Sequence, residues 1–434
     1  MEFQKLNSAF QPTEVIDDRQ YESLIWTERY STAGDFQLVS SDISRCMQLL
    51  PRESYVTIKE STVPMIVEAH KIIKQKNSVP KIEITGRSFE SVLERRGSVI
   101  SLPNGARAVW TNDAVKTSDA AWHAIRGVIG DSARNVGGVS IGAQSPSVSA
   151  LDAIPEINLV VPADLAVNIA PIWNSSTTYA AGTQVRVEFS ATDIKIYKAV
   201  QTNSAQNPPS NTAYWTLLGT LAKVEIKAGN LYSTVLELVQ SNRHGIKAVR
   251  PPNGSTKTTV DIEIYNGADI TASTVFDAKL DQFDDATYLL SAQGSTNIAY
   301  VYGGGTAAST NGVPAGGTSV RKNNAGAEVS GLARRVLVVD EQSDATLNTP
   351  AIRTSRGLVE LYKNNAIAIF DGELARQVAD RYNKNVNAGG YSLGDIVQFN
   401  GDYGLSRKVR VVEFIRSFDS TGESAYPAFE VIEE

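Results

Sequence analysis

Glu22-Ser-Leu-Ile-Trp-Thr-Glu-Arg-Tyr30, broken at Gly34-Asp35 and resumed as Phe36-Gln-Leu-Val-Ser40, is the stretch that decides the fold class. Aromatic and β-branched residues flank a Gly-Asp turn signal, which predicts two strands joined by a short turn. Segments of the same kind follow. Tyr55-Val-Thr-Ile-Lys59 alternates, Val63-Pro-Met-Ile-Val-Glu68 comes next, and Lys81-Ile-Glu-Ile-Thr-Gly86 alternates as a half-buried strand does. Ser88 to Arg95 reads as a short helix whose capping box is incomplete, because Ser91 stands where Glu or Gln would close it. A run of short strands this dense predicts a small β-barrel over residues 1–98.

The middle of the chain changes character. Ser118 is a candidate N-cap for a helix over Ala120 to Ile129, with Ala121, Trp122, Ile125, Val128 and Ile129 on one face. A Gly/Ser-rich loop runs from Gly137 to Ser149. A second helix is predicted from Asn230 to Ser241, with Leu231, Val235, Leu238 and Val239 as its apolar stripe. Strands then return at Val260 to Tyr265, Arg335 to Asp340, Ile396 to Phe399, Arg407 to Ile415 and Pro427 to Ile432. Ala286 to Ala292 and Ile298 to Tyr302 predict a hairpin across Gly294-Ser295, and Thr354 to Asn364 a further helix. Gly303 to Gly331 is a long Gly-, Ala-, Ser- and Asn-rich loop, of the kind that is either functional or disordered.

At about 150 residues per domain, 434 residues suggest about three domains. The predicted class is mainly β with an α+β connector. One barrel spans 1–98, and 248–345 with 390–434 form a second strand-rich domain, a barrel only by the host chain's family resemblance. The helical connector takes 99–165 and 221–247, with 346–389, and a small all-β module is inserted at 166–220.

Composition excludes several functions. Lys+Arg 41 against Asp+Glu 47 leaves −6, which is not the balance of a sequence-specific nucleic-acid binder. The one cysteine, Cys46, allows no internal disulfide and reads as a buried small hydrophobe. His70, His123 and His244 lie far apart, so no zinc-ligand spacing exists, and neither a metal nor another cofactor is expected. No apolar run approaches the roughly 20 residues of a membrane span, and the start has no secretory-signal pattern. The His-Glu-x-x-His, phosphate-loop and Gly-x-Ser-x-Gly motifs are absent. Ser78-Val-Pro-Lys81 has the Ser-x-x-Lys spacing by chance, with Pro80 inside it. The acidic runs Asp281 to Asp285 and Asp371-Gly-Glu373 could supply a glycosidase's paired carboxylates, but read as solvated turns. No catalytic residue is assigned.

Residues 171–219 stand apart. They carry Trp173, Tyr179, Gly182, Val185, Tyr197, Ala199, Pro208 and Trp215 in that order, with Tyr214 beside the last. This pattern resembles the small chitin-binding type of carbohydrate-binding module, except that Val187 stands where the family usually has an aromatic. The resemblance implies sugar binding, with Tyr214, Trp215, Trp173 and Tyr179 as candidates. Flat aromatic rings suit the C–H faces of pyranoses. The alternative is that these rings only fill a miniature core, which a module without disulfides needs. Tyr214 is the first candidate, since Tyr214 and Trp215 cannot both point inward on an extended chain.

The host chain carries a second resemblance. Leu24-Ile-Trp-Thr-Glu-Arg-Tyr30 with Gly34-Asp-Phe-Gln-Leu38, and Leu393-Gly-Asp-Ile-Val397 with Arg407 to Phe414, resemble the opening and closing strands of the ReqiPepy-type minor tail proteins of siphoviruses. That resemblance implies a structural baseplate hub at the virion's tail tip. It implies a homotrimer with two related barrels per chain, linking tail tube to tip. The implied partners are the distal tail protein, other tail-tip proteins and the tape measure protein. The inserted module would bind host cell-surface polysaccharide during adsorption. The competing reading is a virion-borne or secreted glycan hydrolase with an accessory binding module.

Overall fold

The computed structural model describes residues 1–97, 100–101, 107–108, 110–114, 154–160, 173–188, 194–226, 229–240, 243–280, 283–291, 293–303, 317–321, 330–341, 350–364, 367–384, 389–401 and 406–432. It divides into two compact units. The first comprises Met1–Val92, Arg243–Thr296 and Asn364–Glu434, and the second Leu93–Asn242 and Asn297–Lys363.

The first unit is built on the predicted hairpin. Ser23–Arg29 pairs antiparallel with Asp35–Ser40, placing Leu24 opposite Leu38 and Trp26 opposite Phe36. These four side chains are buried, and the Trp26 and Phe36 rings stack at 6.0 Å. Cross-strand pairs of this kind hold a register, because slipping by one residue would turn the apolar set to water. The sheet continues through Lys81–Ser88, Met65–Ile73, Tyr55–Ile58 and Phe3–Leu6 to Pro12–Ile16. A side chain at Gly86 would place its Cβ 1.9 Å from the Ile66 carbonyl oxygen and 2.6 Å from the Phe36 ring. Only glycine lets the neighbouring strand and that ring close in there.

On its other side Ser23–Arg29 pairs with Ser406–Asp419, with Arg29 opposite Glu413 and Thr27 opposite Ile415. Ile396–Asn400 and then, in parallel, Val275–Asp277 complete that flank, while Gly422–Val431 folds back on Ser406–Asp419. The result is one eleven-stranded sheet. This corrects the expectation of two closed barrels, one at each end of the chain. Among the described residues no sheet closes on itself: the strands at the two edges of this one, Pro12–Ile16 and Val275–Asp277, do not pair with each other. Two hydrophobic clusters lie along the shared sheet. One gathers Phe3, Leu24, Trp26, Phe36, Val67 and Ile84. The other gathers Tyr30, Phe276, Tyr391, Val397, Val411 and Phe414.

Phe89–Arg95 is a 3-10 turn where a short helix was expected. The Ser88 hydroxyl is not free to cap it, since it accepts from the Gly34 amide at 2.8 Å and donates to Glu90. The expected hairpin across Gly294-Ser295 does not form. Phe283–Ser291 pairs instead with Ile367–Leu374 in the first unit. Ile298–Gly303 pairs in the second unit with Thr318–Arg321 and, in parallel, with Val336–Glu341. Thr318–Arg321 therefore makes a strand of part of the expected 303–331 loop, whose residues 304–316 and 322–329 lie outside the described residues.

The second unit holds two of the predicted helices. Leu231–Gln240 buries Leu231, Tyr232, Val235, Leu238 and Val239, and the Asn230 side chain accepts from the Ser233 amide at 3.0 Å. Pro350–Lys363 starts with proline, which suits a first helical turn. Its Gly357 packs against Val301 and Val320 of the adjoining sheet. The helix expected over 120–129, with His123, and the loop 137–149 lie outside the described residues.

Candidate functional site

The aromatic segment forms its own small core within the second unit. Gln184–Glu188 pairs with Ile194–Ala199, setting Val185 opposite Tyr197, and Ala199 lies opposite Trp215 of the next strand. Thr178–Tyr179 pairs with Asn203–Ser204. Tyr179, Val185, Tyr197, Ala199 and Trp215 are buried together, and Trp173, Val187 and Tyr214 pack against them partly exposed. The structure thus brings all four sugar-binding candidates to one place but in two different situations.

Trp215 is 2% exposed and Tyr179 5%, and their rings meet edge-on at 5.4 Å. The Trp215 indole N–H donates to the Gln206 carbonyl at 2.9 Å, and the Tyr179 hydroxyl accepts from the Asn174 amide at 2.7 Å. Both rings are spent on holding the fold and its loops, so neither offers a face to a ligand. Trp173 and Tyr214 keep part of their surface outward. The Trp173 indole nitrogen itself is buried, with no hydrogen-bond partner among the described residues. Val187, in place of the family's aromatic, is a partly buried member of the same cluster.

The expected module boundary at 220 falls inside one strand, Trp215–Ile226. Its first half pairs with Ile194–Ala199 and its second half with Trp110–Ala114, so the segment shares a four-stranded sheet with the host. Of the acidic runs, residues 283–285 and 371–373 lie in strands where turns were expected, and residues 281–282 lie outside the described residues. Phe283–Ser291 and Ile367–Leu374 are paired strands, with Asp285 opposite Glu373. Among the described residues no group of three or more His, Cys, Asp or Glu is placed to hold a metal ion.

Sequence reasoning missed a buried polar network in the first unit. Glu28 lies on the central strand, 5% exposed, and accepts from the Trp26 indole, the Ser61 hydroxyl and the Tyr382 hydroxyl. Tyr30, next along, donates to the Arg243 carbonyl at 2.8 Å and accepts from Arg410 at 3.1 Å. Gly394, in the left-handed region at φ 89°, lies against its ring. The one signal was alternation, which puts Glu28 on the same face of the strand as the apolar Leu24 and Trp26.

The family model described as Siphovirus ReqiPepy6 Gp37-like protein matches residues 6–428. The chain belongs to this family. Among solved structures, this ReqiPepy6 Gp37-like chain is similar to the 43 kDa tail protein of prophage MuSo2 from Shewanella oneidensis. That likeness has 10% identity and a TM-score of 0.49, covering 100% of this chain and 97% of that one. It is similar to the tail protein from Neisseria meningitidis MC58 at 10% identity and a TM-score of 0.47, covering 99% and 96%. It is also similar to the prophage tail protein gp18 from Listeria monocytogenes EGD-e at 9% identity and a TM-score of 0.45, covering 99% and 94%. No curated protein matches the Gp37-like sequence.

Proposed function

We propose that the chain is a structural tail protein of a long-tailed phage, serving as the hub of its tail tip. Three copies form a ring that links the tail tube to the tip and leaves a passage for the genome. The observation that carries this reading is the family match over residues 6–428, almost the whole chain. Closed cyclic symmetry makes each subunit contact repeat, which suits a part set between a tube and a tip. A sheet that ties both chain ends together supports a stiff platform. The partners in this reading are the distal tail protein, the tape measure protein and other tail-tip proteins.

The aromatic segment is the adhesive part, holding the tip near host cell-surface polysaccharide through Trp173 and Tyr214. Three weak sites on one ring raise avidity well above that of one. Mass photometry of the purified chain tests the ring: a species of three chain masses is expected, and monomer alone, with no ring in micrographs of tails, overturns the hub. Glycan arrays probed with the full chain test the adhesive part. Binding lost in both Trp173→Ala and Tyr214→Ala supports it, and no binding by the parent chain removes it.

A further inference from the structure

We propose that a pocket inside the first unit, walled by Glu28 and Glu90, binds an organic cation through an ammonium or guanidinium group. The pocket has a volume of about 340 Å³ and draws its walls from all three chain segments of the unit. Glu28 and Glu90 are 5% and 2% exposed. Every hydrogen bond to Glu28 comes from a neutral donor: the Trp26 indole at 3.1 Å, the Ser61 hydroxyl, and the Tyr382 hydroxyl at 2.8 Å. Glu90 Oε1 accepts from the Ser88 hydroxyl, and the backbone amides of Glu90 and Ala248 lie toward the carboxylate, whereas its Oε2 is buried with no hydrogen-bond partner among the described residues.

The other charged groups on the wall are committed elsewhere. Arg29 pairs with Asp35 and Glu413, and Lys247 with Glu263 at 3.1 Å. Both oxygens of Asp395 accept from backbone amides, those of Ala268 and Ser392. Among the described residues, then, two buried carboxylates share one pocket and neither has a cationic partner. Buried charge is costly unless it is paired. No metal-holding group of three ligands exists among the described residues, and hard divalent ions need six or more oxygens, so the fitting ligand is an N–H cation. A guanidinium or ammonium donates to the open Oε2; the Tyr265 ring already carries the Lys247 ammonium, 4.4 Å from its centroid, and the Tyr382 ring stacks on Phe414 at 3.9 Å.

Burial, with the charge of Glu28 adding to it, pushes the Glu90 carboxyl up to about 7 against the pull of the Ser88 hydroxyl and of the Glu90 and Ala248 amides. Tyr265 and Tyr382, which face the same pocket, are raised by burial and stay neutral. A cation therefore competes with a proton at Glu90. With the binding-competent fraction set by that titration, affinity falls about tenfold from pH 8 to pH 6.

The test is calorimetric titration of the full chain with n-butylguanidinium, n-butylammonium and a capped Gly-Arg-Gly peptide, in two buffers of different ionisation enthalpy. Neutral n-butylurea is the control. Saturable binding of a cation at pH 8, about tenfold weaker at pH 6 and accompanied there by release of close to one proton, is the expected result. Binding by the small cations alone identifies a free ligand, and binding by the peptide an arginine presented by another chain. Glu90→Gln should abolish the proton release. The proposal is overturned if no cation binds at pH 8, if butylurea binds as tightly, or if the parent chain binds at pH 6 without releasing protons, a readout that needs no variant to fold.

Discussion

Tyr214 and Trp215 are neighbours with different duties. Trp215 is enclosed and hydrogen-bonded, while Tyr214 is only partly covered. Trp215→Ala should cost about 3–5 kcal/mol in urea unfolding, the usual loss for a buried aromatic. Tyr214→Ala should cost under about 1 kcal/mol, as a half-covered side chain does. Equal costs would mean that Tyr214 is also a core residue. Glu90 makes a second residue-scale prediction. Its folded value of about 7 lies above its ordinary 4.5, so the native state holds the proton more tightly than the unfolded chain does. Stability should be greatest below about pH 4.5 for this group and fall as pH rises to about 7, by about 3 kcal/mol in all. Glu90→Gln should flatten that slope in unfolding curves taken across this range. None of this was legible in the sequence. Glu28 and Glu90 read as ordinary polar residues, since what makes them special is burial by segments distant in the chain. The module's residues were legible as a group, but which rings face inward depends on pairing that spacing does not state.

Elements were more legible than their partners. The helix Leu231–Gln240 and the strands Val260–Tyr265, Val336–Glu341 and Ile396–Asn400 lie where periodicity and alternation put them. Local rules failed where pairing is remote. Gly294-Ser295 is a sound turn signal, and Gly294 has a φ of 76°, yet the strands on either side pair elsewhere. A short strand carries its own burial pattern but not its neighbour's identity. The central pairing is the clearest case. Ile415 lies opposite both Tyr426 and Thr27, in a strand flanked on two sides. Ile415→Pro removes an N–H from that ladder and should lower hydrogen-exchange protection in Ser23–Arg29 and in Gly422–Val431 together. Loss confined to residues near 415 would mean that the two flanks are held independently.

At the scale of the whole molecule, the barrel foreseen from dense short strands and the second one implied by resemblance gave way to one open sheet, because Ser406–Asp419 pairs with Ser23–Arg29. The class, mainly β with few helices, was legible. The first unit needs three separated segments and the second needs two. A fragment of residues 1–405 lacks both Ser406–Asp419 and Gly422–Val431 and leaves Ser23–Arg29 with an open edge. It should show no cooperative unfolding transition for the first unit by circular dichroism. A native-like transition would mean that the N-terminal strands are stable alone.

The Arg29–Glu413 pair also has a meaning in time. The two residues are 384 positions apart. At 5–20 residues per second, a ribosome takes roughly 20–80 s to deliver the second after the first. Throughout that interval the growing polypeptide carries an unfinished strand edge, the kind of surface that chaperones cover and that aggregates recruit. Only after Ser406–Asp419 has been made can that edge be capped, so products truncated before it are marked by an edge that never closes.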